Sequence, residues 1–227
     1  MKKLVVQCTV LLAVLLSMPV VAQDVAAPAK SITSDDSMYE GSKIEEAVNA
    51  YNKGVRAQGQ QEYKNAIKYY KEALELDPNY VFALDNIGIC YRRLGKAEEA
   101  IESYQKSIAL FPRGTFAHIN LGLVYAFQQK FDLAIGEYKK VVEINPSDPE
   151  GYYGLTMVYI NAKQYENAIV SGKETVRLYE AGNNGLIGDG EMLLGQAYYF
   201  NGDTENAKVW FEKAKDHGVK VPDELLK

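Results

Sequence analysis

The sequence predicts an all-α fold, a solenoid of stacked helix–turn–helix units. The first reason is periodicity. Gly54, Gly88 and Gly122 lie 34 residues apart, as do Ala66, Ala100, Ala134 and Ala168, then Tyr70, Tyr104 and Tyr138, then Pro78, Pro112 and Pro146. A repeat of roughly 20–50 residues marks units that cannot bury their apolar faces without a neighbour. The second reason is spacing. Apolar residues within each period fall three and four apart, on one helical face, and no stretch shows the strict alternation of a strand. The third is that the first three periods each close on a proline, which a helix interior does not accept.

The elements follow in order. Met1-Lys2-Lys3, the apolar run Leu4 to Leu16, Pro19 and Val20-Val21-Ala22 have the layout of a secretory signal peptide, residues 1–22. The run is shorter than the about 20 apolar residues of a membrane span, so cleavage and export are expected, with no span left afterwards; the alternative is a retained anchor. Cleavage removes Lys2 and Lys3 and no acid, taking the net charge from -5 to -7. It also removes Cys8 and leaves Cys90 as the single cysteine, so packing alone must hold the exported domain together. Residues 23–43, rich in Ala, Pro, Ser, Asp and Lys, read as a flexible leader.

Helical signals fill 44–221. The unit 81–114 shows the logic. Leu84, Ile87, Gly88 and Tyr91 share one face of a first helix, which Gly95 ends. Ala100, Ile101, Tyr104 and Ile108 share the inner face of a second, which Pro112 ends. Gly88 and Ala100 let the helices approach closely, and Tyr91 and Tyr104 fill the space beside them. Five units are expected: 47–80, 81–114, 115–148, 149–182 and 188–221. In the fourth, Thr156 stands at the glycine position and Gly172 at the aromatic position. Gly195 then follows Thr156 by 39 residues instead of 34, which places an insertion near 183–187. With no ring at 172, the junction between units four and five is expected to be the weakest. Residues 222–227 form a short tail, too short for a full solvating helix, so the end of the stack is expected to stay partly exposed.

These residues resemble the tetratricopeptide repeat family. The matches in the second unit are Leu84, Ile87, Gly88, Tyr91, Ala100, Tyr104, Ser107 and Pro112. In the third they are His118, Leu121, Gly122, Tyr125, Ala134, Tyr138, Val141 and Pro146. The first unit matches best from Ala66 onward, and the fifth restores the pattern with Leu194, Gly195, Tyr198, Ala207, Phe211 and Ala214. The resemblance implies a right-handed superhelix whose first helices line a concave groove that holds peptides or partner helices. Carried over by register, the groove residues are Tyr51, Asn52, Phe82, Asn86, Ile89, Arg92, Phe116, Ile119, Asn120, Leu123, Phe127, Tyr153, Met157 and Phe200. Asn52, Asn86 and Asn120 form a ladder able to hold a peptide backbone, or are simply a feature of the repeat. Val55, Ile89 and Leu123 stand where members that grip a C-terminal carboxylate carry polar or basic groups. That points instead to an apolar segment or an amphipathic partner helix.

Chemistry has little to work with. Two histidines do not make a metal cluster or a triad: His118 is expected between helices, and His217 solvated. Gly185 to Gly190 is glycine-rich but follows no strand and precedes no lysine, so no nucleotide site is read there. No cofactor or metal is expected, and an acidic chain without a basic stripe argues against nucleic acid. The expectation is a non-catalytic protein-binding scaffold of the bacterial envelope, periplasmic or outer-membrane-associated, with a protein or peptide partner and possible homo-oligomers. The rivals are a self-assembling structural protein and a non-catalytic subunit of an envelope enzyme complex.

Overall fold

The computed structural model describes residues 41–226. The stretch expected to be a signal peptide, residues 1–22, and the expected leader up to residue 40 lie outside the described residues. Among the described residues ten α-helices follow in chain order: α1 (Glu45–Gly59), α2 (Tyr63–Leu76), α3 (Val81–Arg93), α4 (Ala97–Leu110), α5 (Thr115–Phe127), α6 (Phe131–Ile144), α7 (Pro149–Asn161), α8 (Tyr165–Ala181), α9 (Ile187–Phe200) and α10 (Thr204–Asp216). A 3₁₀ turn over Asp223–Leu225 ends the series, and no strand occurs among the described residues. Odd and even helices pair within each unit, and each pair packs on the next, giving a helical-repeat solenoid.

A recurring turn joins the helices of each pair. Gln61, Gly95, Gln129, Lys163 and Gly202 all take positive φ, between 58° and 87°. The following amide reaches back to the first helix in every unit. Examples are Lys96 N–H to the Tyr91 carbonyl at 2.9 Å and Gln164 N–H to the Tyr159 carbonyl at 2.8 Å. This left-handed closure satisfies carbonyls that the helix end leaves open. It turns the chain back on itself at one register position in all five units, although three of the five residues are not glycine.

Close approach then sets the packing. A Cβ on Gly88 would lie 2.6 Å from Tyr104 Cζ, and the Tyr104 side chain is fully buried. Gly195 stands in the same relation to Phe211, at 2.6 Å from Cδ1. The fourth unit inverts the arrangement. Thr156 is buried on α7, and a Cβ on Gly172 of α8 would meet it at 3.3 Å and Leu194 of α9 at 3.0 Å. One helix of the pair carries a side chain and the other does not, so the close contact survives with the roles exchanged.

The inserted residues act differently from expectation. They lengthen α8 to 17 residues, where α2, α4 and α6 have 14, and leave a short connection to α9. The extra turn carries Tyr179, which is buried with its ring against Gly190 of α9 and 6.4 Å from the Tyr153 ring. The junction that lacks a ring at 172 therefore receives one from 179, and the premise for a weak junction does not hold.

The end of the stack also departs from expectation. Val221 and Leu225 are buried on Ala207, Phe211 and Ala214 of α10. Leu225 falls 34 residues after Glu191, at the fourth position of what would be a sixth unit. A 3₁₀ turn over Asp223–Leu225 stands where a sixth first helix would begin.

Candidate functional site

The first helices pack on one another as well as on their own partners: α5 on α3, α7 on α5 and α9 on α7. Successive second helices do not pack to a comparable degree. The odd-numbered helices therefore form the inner wall of the stack, and the predicted groove residues all lie on them.

The structure divides that set by depth. Phe82, Phe116, Ile119, Tyr153 and Phe200 are half-buried, and Phe127 is 52% exposed. Ile89, Leu123 and Met157, at one register position in three successive units, are buried. Tyr51 is half-buried and belongs to an aromatic cluster, 5.4 Å from Tyr70 and 4.9 Å from Tyr80 between ring centroids. Burial raises its hydroxyl well above the usual range. Arg92 is half-buried near the end of α3, its charge directed toward Tyr104.

The asparagine ladder is not uniform. Asn52 is exposed, while Asn86 and Asn120 are buried. The Asn86 amide donates to the Phe82 carbonyl at 2.9 Å and to the Tyr51 hydroxyl at 3.0 Å. The Asn120 amide donates to the Phe116 carbonyl at 3.0 Å. Two of the three amides thus satisfy groups of the wall itself.

One feature of the wall escaped the sequence reading. The second position of each unit forms a row: Val48, Phe82, Phe116, Glu150 and Asp189. The row changes from apolar to acidic between units three and four. Glu150 accepts a hydrogen bond from the Tyr179 hydroxyl at 3.0 Å, and burial holds its carboxyl above the ordinary carboxylate range. Burial does the same to Asp189. Asp148, which caps α7 by accepting the Glu150 N–H at 3.0 Å, is raised by burial as well. The 34-residue step from Phe82 through Phe116 leads straight to Glu150, so the signal was present in the register.

His118 is buried between helices, with Nδ1 2.6 Å from Glu137 Oε2. His217, expected in solvent, has its side chain 47% exposed, and its Nδ1 lies 2.7 Å from Glu191 Oε2. Cys90 is buried, and burial pushes its thiol up to about 12, the state of an inert core residue. Among the described residues no group of three or more His, Cys, Asp or Glu is placed to hold a metal ion. No described helix is long and apolar enough to cross a membrane.

Three stretches match family models: residues 45–113 and 192–216 match models described as tetratricopeptide repeat, and 122–161 one described as TPR repeat. Among solved structures, a MamA crystal structure is 26% identical, with a TM-score of 0.64, covering 72% of this chain and 93% of that one. MamA from Desulfovibrio magneticus RS-1, residues 41 to the end, is 23% identical with a TM-score of 0.68, covering 78% of this chain and 97% of that one. YrrB, described as a TPR protein with an unusual peptide-binding site, is 21% identical with a TM-score of 0.61, covering 85% and 92%. No curated protein matches the chain. Repeats of this kind build protein-interaction scaffolds, generally without catalysis, and the geometry above is that of such a scaffold.

Proposed function

The chain belongs to the tetratricopeptide repeat family, and we propose that it is a non-catalytic scaffold of the bacterial cell envelope. Its inner wall takes an apolar peptide segment or a partner helix. The observation that carries this reading is the run of incompletely buried rings on adjacent first helices: Phe82 on α3, Phe116 and Phe127 on α5, and Tyr153 on α7. Aromatic surface left in contact with water along packed helices is what an interface presents. Phe82 and Phe116 hold the same register position, so a ligand lying across the wall meets a ring from unit two and then one from unit three. The acidic continuation at Glu150 and Asp189 favours a ligand that is apolar toward unit two and basic toward unit five. Export rests on the signal-like residues 1–22.

The test is capture of partners from envelope extract by the protein and by a Phe116→Ser/Phe127→Ser variant. The variant is expected to keep its helical circular dichroism and lose the captured partner. Unfolding of the variant, or undiminished capture by the folded variant, overturns the groove assignment. Recovery of protein that retains residues 1–22 from the cytoplasm overturns the envelope assignment separately.

A further inference from the structure

The last ten described residues do more than trail from α10. Lys213 to His217 complete its final turn, and Gly218, at φ +87°, reverses the chain. The Val219 N–H then donates back to the Ala214 carbonyl at 2.9 Å. The strap crosses the first turn of α9 at Gly188, where a Cβ would lie 2.8 Å from Val219 Cγ2 and 3.1 Å from His217 Cβ. Only a residue without a side chain admits the strap so closely. Beyond it, Val221 and Leu225 cover Ala207, Phe211 and Ala214, the surface that the next unit covers elsewhere in the stack.

One polar contact fastens this strap to α9. Glu191 is 1% exposed, and its Oε2 lies 2.7 Å from His217 Nδ1. A carboxylate that deep needs a charged or hydrogen-bonding partner, and the imidazole is the partner within reach. We propose that residues 217–226 are a pH-gated end cap, latched over the last helix pair by the charged His217–Glu191 pair and loosened when His217 loses its proton.

The charges around the imidazole agree with this. Glu191 faces it from α9, and Asp216 lies beside it on α10. The Lys213 carbonyl accepts the His217 backbone N–H at 3.0 Å, and the nearest cation along the strap, Lys220, is exposed. The hydrogen bond to Glu191, and then its charge, raise the imidazole above its ordinary value of 6.5. A group raised on folding stabilises fully below its unfolded value, and that stability is lost as pH rises through the folded value. The cap is therefore tightest in mild acid and loosens toward alkaline pH. Neutral imidazole can still donate to Glu191, but more weakly than the charged form.

Hydrogen exchange of the Val219 and Leu225 amides, corrected for intrinsic rates, tests this on the full chain between pH 5.5 and 8.5. Opening of the strap should increase roughly tenfold for each unit by which the pair displaces the imidazole titration. His217→Gln, which keeps a donor but cannot titrate, should show pH-independent opening. His217→Lys, which stays charged, should keep the cap closed at pH 8.5. Strap protection that is the same across the range in the unaltered protein, or a pH dependence that persists in His217→Gln, overturns the proposal.

Discussion

The close approach of helices within each pair can be tested with one methyl group. In Gly88→Ala the new Cβ would sit 2.6 Å from Cζ and 2.9 Å from Cδ1 of Tyr104, well inside van der Waals contact. Tyr104 has no exposed surface and so no open direction in which to swing. Overpacking costs about 1–3 kcal/mol, and contacts this short against an immobile ring put this case in the upper half, at about 2–3 kcal/mol. Alanine in a helix interior returns about 1 kcal/mol relative to glycine. The net expectation is a loss of about 1–2 kcal/mol, because the clash exceeds the propensity gain. For a domain of this size that lowers Tm by roughly 2–8 °C. Gly136→Ala is the control. It lies inside α6 with no atom within 4 Å of its added Cβ, so only the propensity gain applies. That variant should gain about 0.5–1 kcal/mol. Urea and thermal unfolding followed by circular dichroism at 222 nm measure both. Opposite signs from the same substitution support close packing as the reason for glycine at 88. A neutral Gly88→Ala, or equal shifts in the two variants, refutes it. Adding Tyr104→Leu to Gly88→Ala should be less harmful than the two single changes combined, since removing the ring relieves the clash.

The other expectations concern the turns and the acidic end of the wall. Gln129 and Lys163 hold φ of 58° and 59°, where a side chain is strained and glycine is not, so Gln129→Gly or Lys163→Gly should each stabilise by up to about 1 kcal/mol in urea unfolding. Glu150 has its carboxyl raised from 4.5 by burial, so the folded chain holds this proton more tightly than the unfolded chain. Stability should fall as pH rises from about 4.5 through the higher folded value, and Asp148 and Asp189 act in the same direction. Glu150→Gln should flatten that decline and leave the protein more stable at pH 7, whereas an unchanged pH profile would show that the carboxyl is not desolvated as described.

Much of the fold was legible because its causes are local and repeat. Proline and glycine act on their own backbone, so the helix ends follow from Pro78, Pro112, Pro146, Gly95 and Gly202. The 34-residue register identified which first-helix face looks along the stack, and it held the change from Phe82 and Phe116 to Glu150 and Asp189. Depth on that face was not legible. Ile89, Leu123 and Met157 share a face with Phe116 and Phe127, yet they are buried while Phe127 is open. Exposure there depends on how near the next first helix comes, and that distance is set by contacts between residues far apart in sequence.

By itself, then, the chain's order of residues determined the period, the helix pairs and the glycine–aromatic contacts of units one, two, three and five, because each arises within about one unit of sequence. Tertiary structure alone decided that Tyr179 supplies the ring missing at Gly172, that Asn86 and Asn120 serve the wall, and that His217 returns to Glu191. Each of these joins residues through space that only a finished stack brings together, and a one-dimensional pattern carries no measure of that distance.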